Sequence, residues 1–136
     1  VYGIPSVGFS LASHSPKADF SAVIELGKVI LNKYFAQPAK PGVFLNINFP
    51  AVALEDIKGI AFSHQGKGQW IKEFEERTDP YGFNYYWMTG EFFNLEPDDK
   101  SADHNLLEKS YVSIVPHRID TTDYSELERL SSLWNL

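Results

Sequence analysis

The feature that most constrains this chain is a strand, helix, strand pattern in its first fifty residues. Val1-Tyr2-Gly3-Ile4-Pro5-Ser6-Val7-Gly8-Phe9-Ser10-Leu11 is nearly continuously apolar and does not alternate, the pattern of a strand covered on both faces. Pro5 has no N–H to give a ladder, so regular pairing is predicted over Ser6 to Leu11. From Asp19 to Phe35, apolar residues recur at three- and four-residue steps (Phe20, Val23, Ile24, Gly27, Ile30, Leu31, Tyr34, Phe35), which predicts an amphipathic helix. Asp19 is placed to accept from first-turn amides, and Gln37-Pro38 with Lys40-Pro41-Gly42 disfavours continuation. Val43 to Pro50 reads as the second strand. A helix of this length between two strands implies parallel pairing with a right-handed crossover. Two parallel strands and one helix leave one sheet face and both strand edges uncovered, and parallel sheets occur almost only with both faces covered. Residues 1–50 therefore read as half of a sheet, completed by the rest of the chain, by further sequence or by another subunit. The sole methionine is Met88, and we accordingly expect sequence upstream of Val1.

Three segments are expected: a βαβ half-core over 1–53, an extended β-hairpin arm over 54–94, and a return segment with a terminal helix over 95–136. Ile57 to His64 reads as a strand, Gln65-Gly66-Lys67-Gly68 as a turn, and Gln69 to Glu76 as a returning strand. Asp79-Pro80-Tyr81-Gly82 carries the residues of a type I turn and opens a second hairpin, whose far limb is Phe83 to Met88. A two- or three-stranded ribbon is marginal alone in water, so the arm is expected to lie on something, with Trp70, Phe74, Tyr81, Tyr85, Tyr86 and Trp87 as its oligomer anchors. Beyond the polar linker 97–101 come a short helix around Asp103 to Lys109 and a strand at Tyr111 to Pro116. A terminal helix follows, with a capping-box spacing at Asp123 to Glu126 and an apolar stripe of Leu127, Leu130, Leu133 and Trp134.

Composition excludes several classes of chemistry. Twelve Lys and Arg against eighteen Asp and Glu give a net charge of −6, which leaves no broad cationic surface for nucleic acid or anionic lipid. With no Cys, a thiolate nucleophile and a Cys-based metal site are absent. No segment has the pattern of a secretion signal or a membrane span, and a cytoplasmic location is expected. His14, His64, His104 and His117 have no local metal-ligand spacing. Asp98-Asp99 is an adjacent acid pair, but its Pro-flanked polar loop beside Lys100 favours solvated charge. Ser10 lacks the glycines of a nucleophile elbow. The functional edge of a parallel sheet is the carboxyl end of its strands, where Ser10, Ser13, His14 and Asn48 form a candidate cleft rim, although a structural role is favoured for each. Gly66-Lys67-Gly68 is read as a solvated turn in preference to a phosphate contact.

Taken in order, several stretches resemble the C-terminal portion of the SurE family, the stationary-phase survival proteins that act as metal-dependent 5′/3′-nucleotidases. They are Gly3 to Leu11, Asp19-Phe20-Ser21-Ala22, Leu45 to Pro50, Ile57-Lys58-Gly59-Ile60, Glu76 to Gly82, Tyr85-Tyr86-Trp87 and Tyr111 to Ile114. Arg77-Thr78-Asp79-Pro80-Tyr81-Gly82 followed by Tyr85-Tyr86-Trp87 is the most specific part. The chain departs from the family at Ala102-Asp103, where Thr-Asp is usual, at Ser110, where Gly is usual, and at Val115 and His117, where Thr and Leu are common.

The resemblance implies an α/β fold: the second half of a Rossmann-like parallel sheet layer, a long antiparallel β-hairpin arm and a C-terminal helix. It also implies arm-exchanged dimers or tetramers. The implied activity is Mg- or Mn-dependent hydrolysis of nucleoside monophosphates, with short polyphosphate as a further substrate. The family's metal site uses an adjacent Asp pair, a Ser and an Asn that would precede Val1, so no catalytic or metal residue maps onto this chain. A divalent ion in such an enzyme polarises the phosphate, and residues 1–136 alone are therefore expected to be inactive and to bind no metal. The competing expectation is a non-catalytic oligomerisation module.

Overall fold

A computed structural model describes residues 4–37 and 40–134; the Val1 to Gly3 part of the apolar opening run and the Pro38 stop signal lie outside the described residues. Strand β1 (Ser6–Leu11) leads through a polar loop to helix α1 (Ser21–Phe35), and strand β2 (Val43–Phe49) returns parallel to β1 in the register Ser6↔Phe44 to Leu11↔Phe49. The βαβ unit is thus as the apolar pattern requires. Asp19 Oδ1 accepts from the Ser21 amide at 2.9 Å and hydroxyl at 2.6 Å, so the helix proper begins two residues after it. At the other end the Ala36 amide closes on Asn32 O at 3.2 Å.

A single 3-10 turn, Leu54–Asp56, leads into β3 (Gly59–Phe62). The arm strands are β4 (Gly68–Ile71), β5 (Phe74–Thr78), β6 (Asn84–Met88) and β7 (Glu91–Asn94). Helix α2 (Asp103–Glu108), strand β8 (Tyr111–Arg118) and helix α3 (Tyr124–Leu133) complete the chain. The main sheet has the order β1-β2-β8-β3, with β8 antiparallel to β2 and β3 parallel to β8. The return segment therefore supplies the missing neighbour on one side of β2, while the outer edge of β1 has no partner strand among the described residues.

The core forms where α1 crosses this sheet. Ile30 packs with Leu45, Ile47, Phe49, Val112 and Ile114, and Val7, Leu11, Val23 and Leu26 lie around them. Ile47 and Phe49 are completely buried at 0% exposure. On β8, Ser113 and Val115 are buried as well, so both faces of this strand are covered; α2 packs along it, and Ser113 Oγ lies 2.6 Å from Ser63 Oγ. On β3, by contrast, Phe62 is 76% exposed.

Two sequence expectations need correction. The strand within 57–64 does not pair with the limb that follows it: β3 joins β8 in the main sheet, and the arm is built from 68–94 alone. The returning limb is also two strands, not one. β4 pairs with β7 and β5 with β6, both antiparallel, and the break between them falls at Lys72, whose φ is +53°. Thr89 spans the break by donating its amide to Glu73 O at 2.8 Å and its hydroxyl to Lys72 O at 2.7 Å. At the tip, Asp79 Oδ1 accepts from the amides of Tyr81 at 2.8 Å and Phe83 at 2.9 Å, Gly82 N donates to Asp79 O at 3.1 Å, and Gly82 takes a φ of +87° that side chains disfavour. On α3, the Asp123 side chain caps the Glu126 amide at 3.0 Å as its spacing predicts, yet none of the helix's residues is buried. No helix among the described residues is long and apolar enough to cross a membrane.

Ser110 occupies the left-handed region at φ +64°, which gives a physical reason for glycine at this position in the resembled family: a Cβ there carries strain of about 1 kcal/mol or more. We expect Ser110→Gly to raise the unfolding free energy by about 0.5–1 kcal/mol and Ile47→Ala to lower it by about 2–5 kcal/mol, both read from urea denaturation. An unchanged midpoint for Ile47→Ala would contradict the core assignment.

Candidate functional site

Because β1 and β2 are parallel, their carboxyl ends share one sheet edge, the usual place for ligands in open α/β sheets. Ser10 and Asn48 are register partners there, and the Ser10 hydroxyl donates to Asn48 Oδ1. This bond occupies the carbonyl end of the Asn48 side chain and leaves its Nδ2, a two-proton donor, free of it. The chain then turns through Ala12 N to Phe49 O at 2.8 Å and Ser13 N to Leu11 O at 2.7 Å. Ser13 Oγ accepts from the Ser15 amide at 3.2 Å, and His14 is exposed on the same loop. Of the four candidate rim residues, the structure brings Ser10 and Asn48 together. Among the described residues no hydrogen bond joins Ser13 or His14 to them.

The six candidate anchors of the arm, Trp70, Phe74, Tyr81, Tyr85, Tyr86 and Trp87, are all exposed, Tyr81 by 86%. Trp70 meets the edge of Phe92 at 5.8 Å, and the Arg77 guanidinium sits 5.9 Å from the Trp87 ring centroid.

Sequence reasoning missed a polar junction where the chain leaves the sheet for the arm and comes back. The two crossing segments are zipped by His64 N to Ser101 O at 3.2 Å, Asp103 N to His64 O at 3.0 Å and Leu95 N to Lys67 O at 3.1 Å. Side chains add to this. Gly66 N donates to Asp103 Oδ1 at 3.0 Å, and Lys67 donates to Glu96 from both its amide, at 2.8 Å, and its Nζ, at 2.7 Å. The Gly66-Lys67-Gly68 segment, expected as a hairpin turn, instead carries the chain into β4, and Lys67 is paired with Glu96. The chain passes close under two rings here: a Cβ on Gly66 would lie 2.1 Å from the His104 ring, and one on Gly68 2.2 Å from the Phe92 ring, so a side chain at either position would have to displace that ring.

Asp99 is not the solvated charge its loop suggests. It accepts from the Ser101 hydroxyl at 2.7 Å, the Ser101 amide at 2.8 Å and His64 Nε2 at 3.0 Å. These bonds, Ser101's first, hold its carboxyl down to about 2. The Asp-x-Ser spacing of 99–101 is an Asx-turn signal that could have shown this role. Lys67 likewise lowers Glu96. Away from the junction, an apolar pocket of about 530 Å³ separates α1 from β3, lined by residues that include Val29, Tyr34, Leu45, Ile60 and Phe62, and the buried Tyr34 hydroxyl has no hydrogen-bond partner among the described residues. No three His, Asp or Glu side chains among the described residues are grouped to hold a metal ion.

Comparison with known proteins finds likenesses across nearly the whole chain. The family model described as "Survival protein SurE" matches residues 1–72. A 5′-nucleotidase SurE of Christiangramia forsetii is 40% identical over 136 residues, covering 100% of this chain and 52% of that protein. A 5′-nucleotidase SurE of Phocaeicola vulgatus is 38% identical over 134 residues, covering 98% and 51%. Among solved structures, the SurE protein from Aquifex aeolicus superposes with a TM-score of 0.77 at 29% identity, covering 96% of this chain and 52% of that one. The chain spans about half the length of the curated relatives it matches.

The Asp99 bonds set an acid limit on the junction. A carboxyl whose folded value lies below its ordinary 3.8 stabilises the fold above that value, and the contribution is lost as pH falls through about 2. We expect the Asp99 carboxyl carbon to titrate near 2 by NMR and Ser101→Ala to move it toward 3.8; an ordinary midpoint in the unmodified chain would contradict the hydrogen-bond assignment.

Proposed function

The chain belongs to the SurE family, and from that membership we propose that it supplies the second half of a cytoplasmic, metal-dependent phosphatase that hydrolyses nucleoside 5′- and 3′-monophosphates and short polyphosphate. The observation that carries this reading is the match of nearly the whole chain to proteins named 5′-nucleotidase SurE. The residues present do not fit a metal site: the described residues hold no grouped ligand set, and Asp99 is already engaged by Ser101 and His64. From the family resemblance we propose that the Mg- or Mn-binding groups belong to the other half of a SurE-length protein, and we assign no catalytic step to any residue here. The part assigned to this chain is the rim. Asn48, oriented by Ser10, would donate its Nδ2 protons to an oxygen of the bound nucleotide at the carboxyl edge, with Ser13 and His14 on the adjoining loop. The open edge of β1, the exposed Phe62 and the pocket beside α1 support a missing partner surface.

The test is phosphate release from nucleoside monophosphates with added Mg or Mn. Turnover is expected when these residues are part of an intact SurE-length protein and not from residues 1–136 alone; release by the isolated chain would contradict the assignment. In the intact enzyme Asn48→Ala should lower kcat/KM by about ten- to a hundredfold, the worth of a hydrogen bond to a charged oxygen.

A second reading, a non-catalytic oligomerisation module, is favoured by the aromatic side chains exposed on the arm; it predicts no phosphate release in the assay above. We propose that the arm exchanges between copies in a two-fold dimer or a tetramer. Sedimentation equilibrium should then give a multiple of 15.4 kDa, whereas a monomer at micromolar concentration would contradict arm exchange.

A further inference from the structure

The junction between sheet and arm contains one side chain whose geometry requires a proton on each ring nitrogen. His64 Nδ1 lies 3.1 Å from Gln65 O and Nε2 lies 3.0 Å from Asp99 Oδ2. Both partners are acceptors, since a carbonyl and an ionised carboxylate have no proton to give. A neutral imidazole carries one N–H and can serve one of them; the other would then face a ring lone pair across hydrogen-bond distance. The imidazolium serves both.

We propose that His64 is a pH-sensitive latch: protonated, it clips the segment entering the arm to the segment returning from it, and on deprotonation that crossing loosens. The charges around it favour the closed form. From the returning linker, Asp99 and Glu96 face the ring, with Lys67 on its own segment paired to Glu96. From α2, Asp103 accepts from the Gly66 amide two residues along, and His104 packs on Phe92 at 5.4 Å. The contact with Gln65 O, then Asp99 and Glu96, raises the ring above its ordinary 6.5 against an opposing cost of partial burial. A raised histidine stabilises the folded junction below its ordinary value, and that contribution is lost as pH climbs through the raised one. The latch therefore opens as pH climbs above the ordinary histidine value. Deprotonation loosens the crossing without dissolving it, because the backbone bonds of His64 with Ser101 and Asp103 do not titrate there.

The experiment is proton NMR of the His64 ring together with amide hydrogen exchange at Gly66 and Lys67, corrected for intrinsic base catalysis. The ring should titrate above 6.5, and exchange at the two amides should quicken by about two- to tenfold across the same midpoint. Asp99→Asn should lower the midpoint. His64→Arg keeps a permanent cation, so it should retain protection and remove the pH dependence. A midpoint at or below 6.5, or pH-dependent exchange that persists in His64→Arg, would overturn the proposal and turn attention to His104.

Discussion

The structure depends on one strand being held on both sides. β2 exchanges hydrogen bonds with β1 along one edge and with β8 along the other, while its inward residues Leu45, Ile47 and Phe49 disappear beneath α1. β1 has a similar apolar sequence but, among the described residues, one neighbouring strand, and an unpaired edge presents a row of unsatisfied backbone donors and acceptors. The sheet is thus well formed in its middle and open at β1, and the pocket beside α1 shows the same incompleteness on the face that α1 only partly covers.

Local physics made much of this legible from the residues. The start of β1 after Pro5, the three- and four-residue steps of α1, the Asp79 to Gly82 turn and the Asp123 cap each depend on a few neighbouring side chains, and each is found where those side chains place it. What could not be read was the choice of partner. Ile57 to His64 has a pattern that would suit a hairpin as well as a sheet, and its pairing is decided by β8, some fifty residues later, a contact no local spacing encodes. The strand break at Lys72 has a similar origin, since it is coordinated with Thr89 across the arm. At the candidate rim, the meeting of Ser10 and Asn48 followed from parallel pairing; no such register governs the Ser13 to Ser15 loop.

The junction joins the arm to the sheet. It is polar, partly exposed and built from residues distant in sequence, so no hydrophobic period reveals it. The Phe92 and His104 rings lie against the backbone at its two glycines, and its charges are paired locally among Glu96, Lys67, Asp99 and His64. Apolar burial fixes the sheet, whereas the arm is joined to it by backbone hydrogen bonds reinforced by titratable side chains. The arm's attachment thereby responds to solution conditions that leave the core untouched, and the aromatic surface it carries is positioned through that attachment.

The most direct test of the account's central claim, that the outer edge of β1 is a joint and not a boundary, is site-resolved amide exchange along β1 and β2 in residues 1–136 alone and in an intact SurE-length protein. The account predicts protected β2 amides in both, with the β1 amides that face away from β2 exchanging freely in the isolated chain and becoming protected in the intact one. Full protection of β1 in the isolated, monomeric chain would contradict it.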